Sequence, residues 1–569
     1  GNYHNHQQSY KDVTINNYGY PDEKTGTKES VVSLPDMMEF YSNYTATEYP
    51  YPVYSQIFVQ DFGGWKPGLA NAIITENMID DKTTHEDFLY GWNLTEGEAL
   101  AAQWFGSYLQ PKSWNDIWLS KGFSRYFSGL YTQKANGKTE FLTYHLSPDL
   151  SVYLADWKSG ANTSIVQDSI QNLDTFVNSN APYAKASRVL HMLRMELGEE
   201  QWKKLIGMYV ENYGGQQVTT AAFINVVNQV SEKPMGWFFD QWVFGIGHPK
   251  FKADYAYDNQ KQQLTLDILQ VQNRDTLVYG KKIPLFKGKM RIEIDDGIKE
   301  IQIAPKSKNS FTFSMQNAPK LVNIDFEDAW IKEMVDLAKS PQELLGELQR
   351  SEDALHRVTV MRKLTKIALK DGASEKLKSA IKTALGNRVL NEEYWRMRVI
   401  ALGQLAQLFP LNSEGSIVLD SETEAVLVKM VEREQSWAKA WILNFLGNTL
   451  QKKYVPLYLD GLKDYSDRVV FMSAIALGKT KDPRAYDALM QLHEKPSWKN
   501  QSLISAMYGL KELQDQRAYN FTLATLVASE KPHWNLGTPI WDHRLAAAHT
   551  LVALERVDQA YDLVYANFK

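Results

Sequence analysis

Cysteine is absent from the 569 residues, so disulfide bonds, thiolate catalysis and cysteine-ligated zinc are all excluded. A chain without cysteine fits an exported bacterial protein better than a cytosolic one, so we favour a periplasmic or secreted location, although the sequence leaves the compartment open. Apolar runs of the roughly 18–20 residues that a membrane helix needs are also missing, so no membrane span is predicted. The net charge is −5, which argues against nucleic acid as a partner.

The chain is too long for a single hydrophobic core. At roughly 100–200 residues per domain it should form three or four domains. Its composition, 44% hydrophobic and 23% charged, is that of a globular protein and not of a disordered one. Changes in the period of the hydrophobic pattern divide the chain into four segments, at 1–30, 31–246, 247–328 and 329–569.

The first segment is short and holds one strand-like run at Val13–Tyr18. The second begins with a helix pattern from Leu34 to Tyr49, continues with two strand-like runs, and is helical over most of its length. The third alternates apolar and polar residues with a period of two, as in Gln263–Gln270 and Ile298–Ile303. This alternation predicts an antiparallel β-sandwich of roughly 80 residues.

The fourth segment is predicted to be helical throughout, with helices of roughly 12–17 residues separated by short turns. The runs Arg468–Gly478 and Asp482–Leu492 form one helical hairpin, and similar pairs recur along the segment. Because a single hairpin cannot bury its apolar face, such pairs must stack on one another. We therefore predict a HEAT-like α-solenoid, with an irregular helical bundle as the alternative.

Two stretches carry the functional signal: Leu94–Gly106, which reads L-T-E-G-E-A-L-A-A-Q-W-F-G, and Trp118–Phe123, which reads W-L-S-K-G-F. They resemble the motifs of the aminopeptidase N and leukotriene hydrolase-like gluzincins, a family of zinc aminopeptidases. That family has H-E-x-x-H-Q-W-F-G, with a third ligand in W-L-N-E-G-F at the spacing H-x18-E. Its two His and last Glu bind zinc, and the Glu after the first His is the general base on zinc-bound water.

The register of this resemblance is set by Gln103–Gly106, which matches Q-W-F-G without a gap. Glu98 then stands at the first His position, Ala99 at the general-base position and Ala102 at the second His position. The family spacing leads to Lys121 at the third ligand. All four positions are substituted, so zinc, the cofactor expected for the family, is predicted to be absent. The chain thus resembles a degenerate member of the family.

The family's substrate-binding loop, G-A-M-E-N, falls on the residues Gly64, Trp65, Lys66, Pro67 and Gly68. Its Glu, which holds the substrate's amino terminus, is replaced by Pro67, and proline also lacks a backbone N–H that could pair with a peptide. One functional position is retained, because Tyr183 matches the tyrosine that stabilises the oxyanion in the family. Without a metal, packing or residual peptide contact is the alternative role for Tyr183.

The eleven histidines do not rebuild a metal site, because no H-x3-H pair is present. His85-Glu86 imitates the start of the motif, but Leu89 stands where the second His belongs. No G-x-S-x-G nucleophile elbow supports serine catalysis. If the two motif helices keep their family positions, Glu98 and Lys121 face each other in the vacated zinc pocket. We expect an ion pair there, with Lys121 extending to water as the alternative.

The resemblance implies a thermolysin-like, mainly helical domain at 31–246, and hence a multidomain α+β fold completed by the β-sandwich and the solenoid. It also indicates that residues 1–30 are the junction with the family's N-terminal β-domain, which is missing from this chain. The favoured hypothesis is a catalytically inactive homologue whose cleft binds peptide or protein. The alternatives are an active aminopeptidase with a rearranged metal site, and a scaffold acting through its helical solenoid.

Overall fold

The computed structural model describes residues 2–60, 62–161, 163–167, 169–273, 277–278, 281–295, 297–335, 337–413, 415–527 and 543–554. The last stretch of the predicted helical segment, after residue 554, lies outside these residues. In the described part of the chain no helix has both the length and the apolar character to cross a bilayer.

The first region places a mixed β-sheet against a group of helices. Its strands are β1 His4–Tyr10, β2 Val13–Gly19, β3 Val53–Val59, β4 Trp65–Gly68, β5 Asn71–Thr75, β6 Leu109–Pro111 and β7 Gln216–Val218. Its helices are α1 Lys24–Ser30, α2 Leu34–Thr45, α3 Lys82–Ala101, α4 Trp118–Asn136, α5 Lys138–Glu140, α6 Ser147–Ser159, α7 Leu173–Val177, α8 Ala186–Leu197, α9 Glu199–Tyr213, α10 Thr220–Ser231 and α11 Gly236–Trp242. The main sheet has the order β1-β2-β3-β5-β4.

The first strand was not predicted from the sequence. β1 pairs antiparallel with β2, and β2 pairs parallel with β3, so the amino-terminal residues are part of the sheet. The β1 sequence, H-N-H-Q-Q-S-Y, is polar because the strand lies at the sheet's edge and alternates between partly buried and exposed residues. Such an edge strand carries little hydrophobic signal.

The second region contains the strands of the predicted sandwich. They are β8 Lys250–Asp258, β9 Gln263–Gln270, β10 Leu277–Val278, β11 Lys281–Lys282, β12 Gly288–Ile294, β13 Gly297–Ile303, β14 Lys308–Ser314, β15 Val322–Ile324 and β16 Glu333–Val335. Two of its sheets have the orders β14-β9-β8-β16 and β13-β12-β15. The pairing of β16, parallel to β8, differs from the helical prediction for residues after 329, since three residues are too few to show a period.

The third region is helical. Its helices are α12 Pro341–Arg350, α13 Ala354–Ala368, α14 Glu375–Asn391, α15 Trp395–Ala406, α16 Ser421–Arg433, α17 Ser436–Gly447, α18 Val455–Gly461, α19 Asp467–Lys479, α20 Ala485–His493, α21 Gln501–Leu513, α22 Tyr519–Val527 and α23 His543–Ala553. The predicted hairpin is observed as α19 and α20. Alternate helices α17, α19, α21 and α23 pack side by side in one row. The HEAT-type assignment itself stays a prediction.

The helical region docks on the start of α3. The Ser466 hydroxyl donates to Asp87 at 2.7 Å, and the Trp437 indole N–H donates to the Asp87 carbonyl at 2.6 Å. Thr84 donates to Asp467 at 3.2 Å, with Asp467 at the first position of α19. The first two regions share one hydrophobic core, whereas the buried residues described in the helical region form separate clusters.

Candidate functional site

Aromatic packing positions the two helices that carry the motif stretches. Trp104 and Phe105, directly after α3, and Trp118 and Phe123 on α4 are all fully buried. The rings of Phe105 and Phe123 stack at a centroid distance of 4.9 Å, and the Trp104 indole N–H donates to the Thr47 carbonyl at 3.2 Å. This framework brings Glu98 on α3 close to the first turns of α4.

The Glu98 carboxylate is 2% exposed and receives hydrogen bonds on both of its oxygens. Arg125 Nη1 donates to Oε1 at 2.7 Å, the Tyr183 hydroxyl lies 2.8 Å from each oxygen, and Trp65 Nε1 donates to Oε2 at 3.2 Å. Burial and, next, the neighbouring carboxylate raise the pKa of Tyr183 well above its ordinary value, so its hydroxyl keeps its proton and donates. Tyr183, which the motif register aligns with the family's oxyanion tyrosine, therefore bonds Glu98, which the register aligns with the first His.

The prediction of an ion pair between Glu98 and Lys121 is wrong. Lys121 Nζ instead donates to the backbone carbonyl of Val177, at the end of α7, at 2.6 Å. Burial lowers the pKa of Lys121, and the Glu98 charge offsets only part of that effect. The carboxylate is paired with Arg125, one helical turn beyond Lys121, because the longer guanidinium fork reaches two buried carboxylates at once.

Arg125 is the central residue that sequence reasoning missed. Its Nε and Nη2 donate to Asp149 Oδ1 at 3.1 and 3.0 Å, while Nη1 bonds Glu98. Burial opposes its charge, but Asp149 above all raises the pKa of the guanidinium well above its ordinary value. The sequence could have indicated Arg125, because an arginine four residues after Lys121 lies on the same face of α4. The sequence could not have indicated Asp149 on α6, since no local pattern links this residue to α4.

A serine, a histidine and an aspartate meet behind Arg125 without forming a catalytic triad. Ser187 Oγ and Asp149 Oδ2 lie 3.3 and 3.6 Å from the same ring nitrogen, Nε2 of His145. A triad needs the acid on one ring nitrogen and the nucleophile on the other. His145 is also fully buried, and that burial lowers the pKa of its ring well below its ordinary value. The cluster is therefore a structural network.

The residues predicted on the substrate loop form an edge strand. Gly64 precedes β4, and Trp65, Lys66, Pro67 and Gly68 build it, paired antiparallel with β5 alone. The Thr75 N–H donates to the Gly64 carbonyl, and hydrogen-bonded pairs alternate along an antiparallel ladder. The backbone groups of Trp65 and Pro67 therefore point away from β5, and Pro67 lacks a donor on that open edge.

The residues at the family's metal positions do not fit zinc. Ala99 and Ala102 are fully buried and have no donor atoms, Lys121 is a cation, and both Glu98 oxygens are held by protein donors. Across the described residues no group of three or more Asp, Glu, His or Cys side chains is arranged to hold a metal ion. No catalytic step through a metal follows from these residues.

Residues 30–242 match the peptidase family M1 domain. Rat glutamyl aminopeptidase is 25% identical over 266 residues, which cover 46% of this chain and 28% of that protein. TFIID subunit 2 of Drosophila melanogaster is 24% identical over 310 residues, which cover 47% of this chain and 25% of that protein. The crystal structure of Legionella pneumophila aminopeptidase A in complex with aspartic acid superposes with a TM-score of 0.68 at 15% identity, over 100% of this chain and 70% of that one.

These similarities support the family resemblance that the motifs indicate. The aligned region spans little more than a quarter of the curated relatives, 28% of the rat enzyme and 25% of the fly subunit. The structural likeness extends over the whole chain and shows a shared fold. Residues 30–242 therefore match an M1 peptidase domain, and the chain resembles the M1 gluzincin, aminopeptidase-like family.

Proposed function

We propose that this chain is a non-catalytic M1 homologue that binds a peptide or protein segment and does not hydrolyse it. The observation that carries the proposal is the Arg125–Glu98 ion pair, because the motif register aligns Glu98 with the family's first zinc ligand. A zinc ion bound beside Glu98 would be repelled by the Arg125 guanidinium. The general-base position, Ala99, offers no group that could take a proton from water. Binding is the part of the family's activity that the remaining residues can perform.

The open edge of β4 is the proposed binding surface. Its outward groups are the Trp65 N–H and C=O and the Pro67 C=O, which can pair with an extended segment by strand addition. Leu69, 67% exposed, and Ile73, 38% exposed, supply apolar contacts beside that edge. Because Pro67 removes one donor from the ladder, side-chain contacts should supply more of the affinity than at an ordinary sheet edge.

Metal content and hydrolysis test the loss of catalysis. Protein purified in zinc-containing buffer should carry far less than one zinc per chain and release no amino-acid arylamide above background. Near-stoichiometric zinc together with arylamide release would instead establish the alternative, an aminopeptidase with a rearranged metal site.

A reconstruction sharpens this test. The changes Glu98→His, Ala99→Glu, Ala102→His and Lys121→Glu restore the family motif. We expect this fourfold variant to bind zinc poorly, because Arg125 would remain beside the metal, and the further change Arg125→Ala should raise zinc content. Full zinc occupancy in the fourfold variant would show that Arg125 is not the obstacle.

Peptide binding at β4 is tested with a pool of fluorescein-labelled extended peptides and fluorescence anisotropy. Leu69→Lys should reduce binding, because it places a charge beside the proposed edge. Leu411→Lys is the matched control, since Leu411 is equally exposed, at 65%, in the helical region. Equal effects of the two substitutions, or no binding to any peptide, would contradict a peptide site at β4.

A scaffold role is the second candidate, favoured by the similarity to TFIID subunit 2, whose name makes it a subunit of a transcription initiation factor. On this proposal the helical region, as a HEAT-like solenoid, holds a protein partner. Trp441 on α17 is 41% exposed and would lie in such a surface. Loss of partner capture in Trp441→Glu, but not in Leu69→Lys, would favour the scaffold over the β4 site.

A further inference from the structure

A cavity of about 370 Å³ lies where the M1 domain, the β-sandwich and the start of the helical region meet. Leu150 and Leu154 on α6 form one wall, Val322 and Met334 from β15 and β16 form a second, and α13 forms the third. Its volume is within the range of small-molecule sites, roughly 300–1,000 Å³. The cavity is separate from the Glu98 site and shares no lining residue with it.

The carboxylates that line this junction cavity all have partners. Asp325 pairs with Lys332 at 2.6 Å, and Glu347 lies 3.3 Å from the His356 ring. Glu347 also pairs with Lys339, and Lys332 pairs with Asp328 as well. Asp353 accepts hydrogen bonds from the Asn323 side chain and from the Glu327 N–H. Each lining carboxylate therefore already has a partner within the protein.

One lining cation is uncompensated. Leu355, Thr359 and Arg362 follow one another on the cavity-facing side of α13, at the i, i+4 and i+7 positions. Arg362 is exposed and forms no hydrogen bond or ion pair with any residue that the structure describes. The cavity thus offers apolar walls and a free guanidinium.

We propose that the junction cavity binds an amphiphilic monoanion, a medium-chain carboxylate, with its chain against Leu150, Leu154 and Met334 and its head on Arg362. Guanidinium matches a carboxylate with two parallel hydrogen bonds, whereas an alcohol or an amine cannot use that geometry. The site is independent of the binding function proposed for β4. Because the ligand would touch all three regions, it would also stabilise their junction.

Isothermal titration of the full chain with octanoate, decanoate and dodecanoate tests the site. Affinity should rise about fourfold for each added methylene until the cavity is filled. Decanol and decylamine should bind at least about tenfold more weakly than decanoate, as should decanoate to Arg362→Ala. Lys366→Ala, which removes an exposed cation of α13 outside the lining, should leave the affinity unchanged.

Thr359→Trp provides a second variant at an exposed position, so it should fold normally while its indole blocks the cavity. Circular dichroism checks the fold, and decanoate binding should be lost. Retained binding in Thr359→Trp would place the ligand elsewhere. Absence of carboxylate binding, equal binding of decylamine, or unchanged affinity in Arg362→Ala would each overturn the proposal.

Discussion

The two motif stretches, one at the end of α3 and just after it and the other on α4, present two sets of side chains that are held in different ways. Trp104, Phe105 and Phe123 are held by shape, because each is a fully buried ring packed against other rings. Glu98 and Arg125 are held by a buried ion pair, and removal of either partner would leave the other as an uncompensated buried charge. We therefore expect the aromatic framework to contribute more to the stability of the M1 domain than the charged pair does. Glu98, which the motif register aligns with the family's first zinc ligand, is paired with the internal cation Arg125.

The aromatic framework should give the largest loss of stability. Trp104→Ala removes a fully buried indole and its hydrogen bond to Thr47, and should lower the free energy of unfolding by about 4 kcal/mol. Chemical denaturation measures this change. Trp114→Ala is the control, because Trp114 is 53% exposed and its replacement should cost less than about 0.5 kcal/mol. Similar losses in the two variants would mean that packing is not what holds the helices.

Loss of the buried ion pair between Arg125 and Glu98 should give the second-largest decrease in stability. Arg125→Met leaves Glu98 and Asp149 buried without their cation, and should lower the free energy of unfolding by about 3 kcal/mol. Adding Glu98→Gln should recover part of this loss, because it removes one unpaired charge, and denaturation of both single variants and the double variant measures the coupling. Strictly additive losses would show that the two side chains do not act as a pair.

Much of the fold could be predicted from local patterns. The strand at Gln263–Gln270 was predicted with the bounds that the structure shows, because strict alternation identifies a half-buried strand. The helix predicted from Leu34 to Tyr49 is observed at Leu34–Thr45. Its end was misplaced because the left-handed backbone of Ala46, which ends the helix, has no sequence signature such as glycine.

The candidate site was predictable only in part. The motif register predicted that Glu98 and Lys121 would share a pocket and identified Tyr183 as a functional position, but the bond between Glu98 and Tyr183 was not predicted. It did not predict which cation would pair with Glu98. That choice depends on side-chain reach and on Asp149, which comes from a different helix. The sequence separation of Asp149 from both motif stretches left no pattern to detect.

A partly buried carboxyl, Glu23, also lies close to the helical region. Burial raises the pKa of Glu23 to about 7, and Lys499 of the helical region opposes that rise. A carboxyl whose folded pKa exceeds its unfolded value contributes stability below the unfolded pKa, and the contribution is lost as pH rises through the folded pKa. Stability from Glu23 should therefore fall between about pH 4 and pH 7.

Glu23→Gln should remove this pH dependence. At pH 8 the variant should be more stable than the parent by about 2 kcal/mol, and at pH 4.5 the two should be equal within about 0.5 kcal/mol. Denaturation at both pH values measures the difference. Glu200→Gln, at an exposed position on α9, is the control and should change stability at neither pH. An equal stabilisation by Glu23→Gln at both pH values would mean that the carboxyl is not titrating.

Substitution of Lys121 should give the smallest loss of stability, and it tests most directly which cation pairs with Glu98. The Lys121 amine is half-buried and bonds the Val177 carbonyl, so Lys121→Met should cost about 1 kcal/mol or less. Because Glu98 is paired with Arg125, the losses from Lys121→Met and Glu98→Gln should add within about 0.5 kcal/mol in a double-mutant cycle. A coupling as large as that between Arg125 and Glu98 would mean that Lys121 is an ion-pair partner of Glu98. Only a direct ion pair could make the two substitutions so strongly dependent on each other.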